Sequence, residues 1–320
     1  MAGAAIAQRG VFGGEAPETR NETRKENGMA TSLLTTVENR SSVDTLAEAV
    51  HRPVQAVLQK RPELRTTLDG TWLGHPLHAA LTDFPIGAWA TGLVLDIAGL
   101  GRRKKGLHDA AFTAHAFGLA AAGAAALAGL ADWSYLDGKP RRVGFVHAAL
   151  NTVAASLFGV SLLLRKNGRR GTGIAASTAG FGIVLGSAWL GGVMSYHYGI
   201  GVSHRAFEQG GPSGFVPVLR NDELVEGQLR RVVAEGAPIL LARANGRVHA
   251  IGDTCTHLGC SLSAGRLDGE RVVCACHGSQ FRLRDGRVMV GPATDSEPHY
   301  ETRVRDGQIE VRKSGLNGAS

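Results

Sequence analysis

Three long stretches of the chain contain no Asp, Glu, Lys or Arg. They cover residues 110–131, 143–164 and 171–203 of a chain in which 20% of the residues are charged. A helix on the surface of a soluble protein presents a charged face to water, and none of these stretches has one. Each is long enough to cross about 30 Å of hydrocarbon as an α-helix, at about 1.5 Å per residue. The chain is therefore expected to span a membrane.

The apolar segments predict four transmembrane helices between His75 and His204. Their approximate bounds are 76–100, 109–132, 143–164 and 172–197. The connecting segments are short and rich in basic residues or turn formers, and the many Gly, Ala and Ser residues favour close contact between helices within a membrane. A soluble helical bundle is the alternative, and the missing charged faces argue against it.

The sequence on either side of these helices has a different character. In chain order, the predicted parts are a disordered tail at 1–42, a peripheral helix at 43–73, the membrane domain at 74–204, a linker at 205–213, a β domain at 214–313 and a disordered tail at 314–320. The β domain is indicated by short alternating apolar runs that are separated by turn formers. The predicted fold class is thus a two-domain membrane protein, a four-helix transmembrane bundle followed by an all-β antiparallel sandwich. Because aromatic residues make up only 6% of the chain, no nucleic acid is expected as a partner.

All four cysteines lie in one short segment of the β domain. They belong to Cys255-Thr-His-Leu-Gly-Cys260 and Cys274-Ala-Cys-His-Gly-Ser279, so two loops each offer a thiolate and an imidazole. Two cysteines on one iron and two histidines on the other are the ligands of one type of [2Fe-2S] centre. Two cysteines and two histidines also hold zinc in tetrahedral sites, which is the alternative. The pattern therefore predicts a metal centre built from these two loops.

The two cysteine-containing segments resemble the Rieske family, in the form that has an additional cysteine in each segment. The resemblance covers about 214–313 and implies a Rieske-type antiparallel sandwich with one [2Fe-2S] cluster. Carried over residue by residue, it implies that Cys255 and Cys274 hold the inner iron. His257 and His277 would then hold the outer iron, on the side that faces solvent.

Further residues of the β domain match the same family. The resemblance implies a disulfide between Cys260 and Cys276, a hydrogen bond from the Ser279 hydroxyl to a bridging sulfide, and a third loop, Gly291-Pro-Ala293, that closes over the cluster. Phe281 departs from the high-potential members, which carry a tyrosine at this place. Since a phenyl ring cannot donate a hydrogen bond, we expect a lower reduction potential than a tyrosine would give.

The membrane half resembles an uncharacterised family of bacterial four-helix membrane domains. The residues that carry this resemblance are His75-Pro-Leu-His78, Phe84-Pro85 and Gly191-Gly192. The family implies no activity, but polar groups at membrane depth are costly and often functional. Those predicted near the surface from which the β domain emerges are His78, Asp83, His147, Asn151 and His197, with His115 apart from them. They predict a haem or quinone pocket that faces the cluster; the alternative is that these histidines only hydrogen-bond to headgroups or to one another.

Together these features predict a membrane-anchored electron-transfer protein that carries a Rieske cluster. Its expected partners are a redox protein or a quinone, and the lipid bilayer. Two alternatives are a Rieske subunit of a cytochrome bc-type quinol-oxidising complex and an electron-donor component of an oxygenase system. In each case the chain is an electron carrier or a component of an oxidoreductase rather than a stand-alone catalyst.

The distribution of basic residues predicts the orientation of the chain. With four helices, loops 101–106 and 165–170 share one side of the membrane, and these two very short loops carry eight Lys and Arg residues. Seven basic residues lie on the other side, in longer segments. The positive-inside rule gives most weight to short loops, so the β domain is expected outside the cytoplasm, at the cell membrane. A disulfide also persists more readily there.

Overall fold

A computed structural model describes residues 32–101, 105–206, 208 and 210–315 of the chain. Of the two predicted tails, 1–42 and 314–320, residues 1–31 and 316–320 lie outside the described residues. Residues 32–39 form helix α1, so the predicted disordered tail ends earlier than expected. The cause is a tertiary contact: Lys139 donates to the buried Glu38 carboxylate at 3.0 Å and fixes this segment to the helical domain.

The predicted peripheral helix is two helices, α2 (Ser41–Gln59) and α3 (Pro62–Asp69). The break lies at Arg61, whose backbone is not helical, and Pro62 is the first residue of the second helix. Proline is favoured at this first position of a helix. Helix α2 rests on the helical bundle, with the His51 ring packed edge-on against Trp133 at 5.0 Å.

Four longer helices form the predicted bundle: α4 (Leu77–Ala98), α5 (Lys105–Trp133), α6 (Gly138–Lys166) and α7 (Arg170–Tyr196). Among the described residues, three of them, α5 to α7, are both long and apolar enough to cross a membrane. Helix α4 is 22 residues long and packs beside α5 and α7, but it contains Asp83 and Asp96 as well as His78. These polar side chains lower the mean hydropathy of α4, which is why α4 is not among the helices that are apolar enough to cross a membrane.

Small residues let these helices pack closely. The Trp89 ring of α4 stacks on Phe158 of α6 with the ring centroids 4.0 Å apart. A Cβ atom at Gly118 of α5 would lie 2.5 Å from the Trp89 indole nitrogen, so only glycine leaves room for this ring. The bundle core therefore depends on aromatic rings that fill the space beside glycines.

The second domain consists of ten strands. They are β1 (Val216–Arg220), β2 (Leu229–Ala234), β3 (Ala237–Ala244), β4 (Arg247–Gly252), β5 (Arg266–Asp268), β6 (Arg271–Val273), β7 (Gln280–Arg282), β8 (Val288–Val290), β9 (His299–Arg305) and β10 (Gln308–Lys313). A six-stranded sheet has the order β1-β10-β9-β4-β3-β2, a four-stranded sheet has the order β5-β6-β7-β8, and every pairing is antiparallel. The predicted fold class, helical membrane domain followed by antiparallel β domain, is confirmed. One core cluster joins Leu240 and Phe281 to the two buried cysteines Cys255 and Cys274, so the core of the domain extends to the candidate metal centre.

Candidate metal centre

Two turns of the same hydrogen-bonded form present the candidate ligands, at 255–260 and 274–279. In each, the N–H of the first cysteine donates to the carbonyl five residues later, at 2.8 Å in both turns. The N–H of the glycine four residues after that cysteine donates back to the cysteine carbonyl, at 2.9 and 3.1 Å. Gly259 and Gly278 have φ values of 76° and 78°, a left-handed conformation that favours glycine. The shared Cys-x-x-x-Gly spacing therefore follows from the shape of the turn.

The four cysteines divide into a bonded pair and a free pair. A disulfide between Cys260 and Cys276 ties the two turns together, and the free cysteines Cys255 and Cys274 are both buried. The Cys255 thiol donates to the Cys274 sulfur, and this bond, helped by the backbone N–H groups of Cys276 and His277, lowers the pKa of Cys274 below its usual range. The same contact, together with burial, raises the pKa of Cys255. A thiolate, the form that binds iron, is thus favoured at Cys274.

The two histidines lie side by side at the tips of the turns. The ring centroids of His257 and His277 are 4.9 Å apart, with an angle of 86° between the planes. Burial lowers the pKa of His257 to about 3 and lowers that of His277 as well, so both rings are neutral and keep a lone pair. The Nδ1 atom of His257 is buried without a hydrogen-bond partner in the described part of the chain. Two buried thiols and two neutral imidazoles, one with an unpartnered nitrogen, fit the ligand set of a Rieske cluster.

The third loop connects this centre to the helical domain. The Ser279 hydroxyl oxygen, fully buried, accepts the Ala293 N–H at 3.0 Å, which leaves the hydroxyl proton free to donate. The Thr71 hydroxyl donates to the Ala293 carbonyl at 3.2 Å. A Cβ atom at Gly291 would lie 2.4 Å from the Asp69 carboxylate, so glycine is needed for the close approach of the two domains.

The helical domain covers the histidine side of the centre. Tyr135, between α5 and α6, presents its ring edge-on to His257 at 5.5 Å and to His277 at 6.2 Å between centroids. The Arg65 guanidinium lies 4.6 Å above the Tyr135 ring and donates to the His277 carbonyl at 2.6 Å. The Tyr135 hydroxyl donates to the Asp69 carboxylate at 2.9 Å, and burial raises the pKa of Asp69 to about 6. His257 and His277 thus contact a buried polar network of the helical domain.

Sequence reasoning missed Arg65, Asp69 and Tyr135. The first two lie on a segment predicted only as a peripheral helix, and Tyr135 lies in a predicted connecting loop, more than a hundred residues before the cysteines. The one local signal is the spacing of Arg65 and Asp69, which places a base and an acid on the same helix face.

The structure brings together two of the residues predicted for a pocket in the membrane. His78 of α4 and His147 of α6 have ring centroids 6.4 Å apart, and the Asn151 amide donates to His147 Nε2 at 3.1 Å. Asp83 and His197 do not join this pair, since the side chains of both are exposed. Asp83 is five residues after His78, which turns it by about 140° around the helix. His197 follows the last residue of α7, and its ring packs against Tyr198.

His115 lies apart from this group, as predicted, but it has partners that the sequence analysis did not identify. Its Nε2 atom lies 3.0 Å from the Asp96 carboxylate, and Arg165 donates two hydrogen bonds to the same carboxylate, at 2.7 and 2.6 Å. The available signal was Asp96 itself, a charged residue within a predicted membrane span.

Comparison with known proteins identifies both halves of the chain. Residues 214–309 match the family described as Rieske [2Fe-2S] domain, and residues 74–204 match the family described as Predicted membrane protein (DUF2231). Ferredoxin CarAc of Metapseudomonas resinovorans is 34% identical over 98 residues, which are 30% of this chain and 92% of the ferredoxin. Apoptosis-inducing factor 3 of Mus musculus is 33% identical over 92 residues, 29% of this chain, and the match spans only 15% of that protein's length. A solved complex of reduced oxygenase and oxidized ferredoxin in carbazole 1,9a-dioxygenase contains a chain that is 32% identical, with a TM-score of 0.31, coverage of 32% of this chain and 97% of that one.

The chain therefore belongs to the Rieske [2Fe-2S] family. Its N-terminal part is a DUF2231 domain, and both resemblances expected from the motifs are confirmed. The cofactor is accordingly a [2Fe-2S] cluster, as predicted, and not zinc. The protein is an electron-transfer protein of the Rieske class, joined to a domain whose three apolar helices fit a membrane protein.

Proposed function

We propose that the chain is a membrane-anchored electron carrier in which the Rieske domain exchanges electrons with its own helical domain. The observation that carries this proposal is the covered histidine face, where Tyr135 lies against both histidine rings and Arg65 hydrogen-bonds to His277. His257 and His277 are the outermost of the proposed ligands. The groups that cover these two rings therefore lie on the shortest path by which an electron can leave the cluster.

In this proposal Cys255 and Cys274 are the ligands of the inner iron, and His257 and His277 those of the outer iron. The bound cluster supplies one-electron chemistry. Backbone N–H groups stabilise negative charge on the Cys274 sulfur. The free hydroxyl proton of Ser279 is available to a sulfide, and such a bond raises a reduction potential.

The partner site that we propose, a haem or quinone site, lies in the helices below this face. A small cavity between the domains is lined by Asp69, Pro76, Asp132, Thr256 and His257, among other residues. It lies between His257, a proposed outer ligand of the cluster, and Pro76, the residue just before α4. This position supports electron transfer between the cluster and the helical bundle.

Loosening the contact between the domains tests the covered face. In the Arg65→Ala variant the hydrogen bond to His277 and the contact with Tyr135 are lost, at a cost of about 1–1.5 kcal/mol. We expect the reduced cluster to transfer electrons to a soluble acceptor protein, cytochrome c, about tenfold faster than in the wild type. Arg61→Ala is the matched control, because Arg61 is exposed on the same segment. A wild type that reacts as fast as the Arg65 variant would show that the histidine face is open.

The proposed location is the cell membrane, with the Rieske domain outside the cytoplasm. The dense basic loops 101–106 and 165–170 support this orientation. Alkaline phosphatase fused after Arg312 is expected to be active, and green fluorescent protein fused there to stay dark. The opposite result would place the cluster in the cytoplasm and make cytosolic reductases its partners.

An electron-donor component of an oxygenase system is the second candidate, and the similarity to ferredoxin CarAc favours it. The two candidates differ in which partner reaches the histidine face, a soluble oxygenase or the helical domain. Electron exchange measured in membranes with a short-chain quinol and with a soluble oxygenase component separates them. Faster exchange with the oxygenase component would favour this second candidate.

A further inference from the structure

We propose that helix α2 lies in the interface of the lipid bilayer and that an apolar stripe on its surface contacts phospholipid. The stripe consists of four exposed residues, Leu46, Val50, Pro53 and Val57. Spacings of four, three and four residues place them on one face of an α-helix. Leu46 and Val57 are 58% and 56% exposed, so the described part of the chain leaves this face open. The proposal goes beyond the proposed function and requires only that the helical domain lies in a membrane.

Helix α2 crosses the end of the bundle at a shallow angle. Asp44 pairs with Arg142 at 3.1 Å, and eleven residues later the Gln55 amide donates to the Ser134 carbonyl at 3.3 Å. Eleven residues span about 16 Å of helix, but Ser134 and Arg142 differ in depth by only about 6 Å. The reason is that Ser134 directly follows α5 and Arg142 is the fifth residue of α6. Since α5 and α6 are helices that fit a membrane span, α2 runs nearly parallel to the membrane surface.

The charged side of α2 shows which way the stripe points. Asp44 pairs with Arg141 at 3.0 Å, and Glu48 pairs with the same guanidinium. Arg141 lies just before the uncharged segment 143–164, so these ion pairs mark the aqueous side of α2. Glu48 is two residues after Leu46 and is therefore about 200° away around the helix. The stripe is thus turned away from the aqueous side, as the apolar face of an interfacial helix is.

Exposed aromatic side chains mark the membrane surface at the same end of the bundle. Trp72, shortly before α4, is 65% exposed, and Tyr196, the last residue of α7, is 92% exposed. Because the four long helices alternate in direction, the start of α4 and the end of α7 lie on the same side as the turn between α5 and α6. Tryptophan and tyrosine are enriched at the boundary between membrane and water. Helix α2 therefore lies at the level of this boundary, where its stripe continues the surface that faces lipid.

The residue next to the stripe favours lipid over a second copy of the chain. Lys60, three residues after Val57, is exposed at the end of α2. A lysine beside an apolar face can keep its stem among the acyl chains and its charge at the phosphate groups. In a symmetric contact between two copies, the Lys60 charge of each chain would lie against the apolar contact and lose water.

A bilayer contact of α2 would also position the cover of the candidate metal centre. Helix α3 begins at Pro62, three residues after the end of α2, and carries Arg65, which donates to the His277 carbonyl. The bilayer would then hold the segment from which α3 reaches the histidine face. This consequence rests on the proposed function, whereas the lipid contact itself does not.

Photo-cross-linking in vesicles tests the lipid contact. The full chain is prepared with the photoreactive amino acid p-benzoylphenylalanine in place of Val50 or of Val57 and is reconstituted into vesicles of phosphatidylethanolamine and phosphatidylglycerol. After illumination, mass spectrometry of the intact protein measures covalent phospholipid adducts. The matched control carries the label in place of Gln59, which is exposed two residues after Val57 and about 200° around the helix. We expect about tenfold more lipid adduct at Val50 and Val57 than at Gln59, because only the stripe faces the acyl chains.

A second control shows that the label detects lipid. In place of Leu163, which is 62% exposed in α6, the label is expected to form lipid adducts. The electron-paramagnetic-resonance signal of the reduced cluster shows that each labelled chain is folded. Adducts at Leu163 but not at Val50 or Val57, or equal adducts at Gln59, would overturn the proposal.

Cross-links to protein would overturn the proposal as well. A dimer on a denaturing gel would show that the stripe contacts a second copy. A cross-link to residues 1–31, identified by peptide mass spectrometry, would show that the same chain covers it. None of these measurements involves electron transfer, so the lipid contact can fail while the proposed function, tested by the reaction with cytochrome c, stands.

Discussion

The two domains bury their polar groups by opposite means. In the Rieske domain the four proposed ligands come from two turns that lie close together in sequence, 255–260 and 274–279, and each turn forms its own hydrogen bonds. In the helical domain Asp96, His115 and Arg165 meet from three different helices. A residue of the first kind serves its site, whereas a residue of the second kind also holds helices together. Substitution of a candidate ligand should therefore affect the metal centre first, whereas substitution within the Asp96 network should affect the stability of the helical bundle.

The largest effect on stability is expected at Asp96. This side chain is fully buried and is bound by Arg165 and by His115. Asp96→Asn leaves the Arg165 charge buried without a counter-charge, which typically costs about 3–5 kcal/mol. Thermal unfolding of the detergent-solubilised protein, followed by helical circular dichroism, measures this loss.

Two further variants define the cause of that loss. Asp109→Asn removes an exposed carboxylate near the start of α5 and should leave the midpoint unchanged. Replacing Asp96 and Arg165 together by Leu and Met should recover most of the stability, since the buried Arg165 charge is removed with its partner and Arg170, 3.9 Å from Asp96, is partly exposed. A double variant as unstable as Asp96→Asn would contradict the role of the ion pair.

The next effect is expected at the disulfide that joins the two ligand turns. The bridge between Cys260 and Cys276 closes a loop with a sequence separation of 16, and loops of this size are stabilised by about 3 kcal/mol. The double variant Cys260→Ser/Cys276→Ser should still bind a cluster but lose it at lower temperature, as followed by the visible absorption of the centre. Cys255→Ser should lose iron outright. Equal loss of iron in both variants would mean that the division into ligands and bridge is wrong.

Local patterns made the Rieske domain predictable from sequence. The shared Cys-x-x-x-Gly spacing follows from one hydrogen-bonded turn, and the cysteines and histidines that predicted the cluster all lie within 255–279. The β fold was predicted from the alternating apolar runs of 214–313. The helices were equally predictable, since their missing charges are a local property. Their bounds differ by a few residues because charged ends such as Lys105 extend α5 beyond its apolar part.

Contacts between distant segments were not predictable in the same way. Arg65, Asp69 and Tyr135 reach the cluster face only because α3 and the loop after α5 meet there. His78 and Asp83 both lie near the start of α4 but on different faces of the helix. The helical period predicts this difference, but only the packing of α4 shows which of the two faces is turned toward the other helices. Depth in the membrane can be estimated from sequence, but the direction of a side chain around its helix depends on the neighbouring helices.

The polar network at the cluster face is expected to make stability depend on pH. Burial raises the pKa of Asp69 to about 6 from its ordinary value of 3.8, so the native chain binds this proton more tightly than the unfolded chain. The stabilisation is present in full below about pH 4 and is lost as the pH rises through about 6, by up to about 3 kcal/mol. Asp69→Asn cannot ionise and should lose less stability between pH 4 and pH 7, as measured by thermal unfolding at each pH. The exposed Asp137→Asn serves as control, and an Asp69 variant with the pH dependence of the wild type would contradict the prediction.

The smallest effect is expected at Phe281, where the substitution to tyrosine adds one oxygen atom near the two candidate ligand cysteines. The ring is fully buried in the core cluster that contains Cys255 and Cys274. In Phe281→Tyr the new hydroxyl can donate to a ligand sulfur, which favours the reduced, more negative centre. One hydrogen bond of about 1 kcal/mol corresponds to an increase of about 40 mV for a one-electron couple. Protein-film voltammetry measures this shift, and Ser279→Ala, which removes a donor from the other side, should lower the potential by a similar amount. A potential of Phe281→Tyr at or below that of the wild type would mean that the side chain at this position does not reach the sulfur ligands.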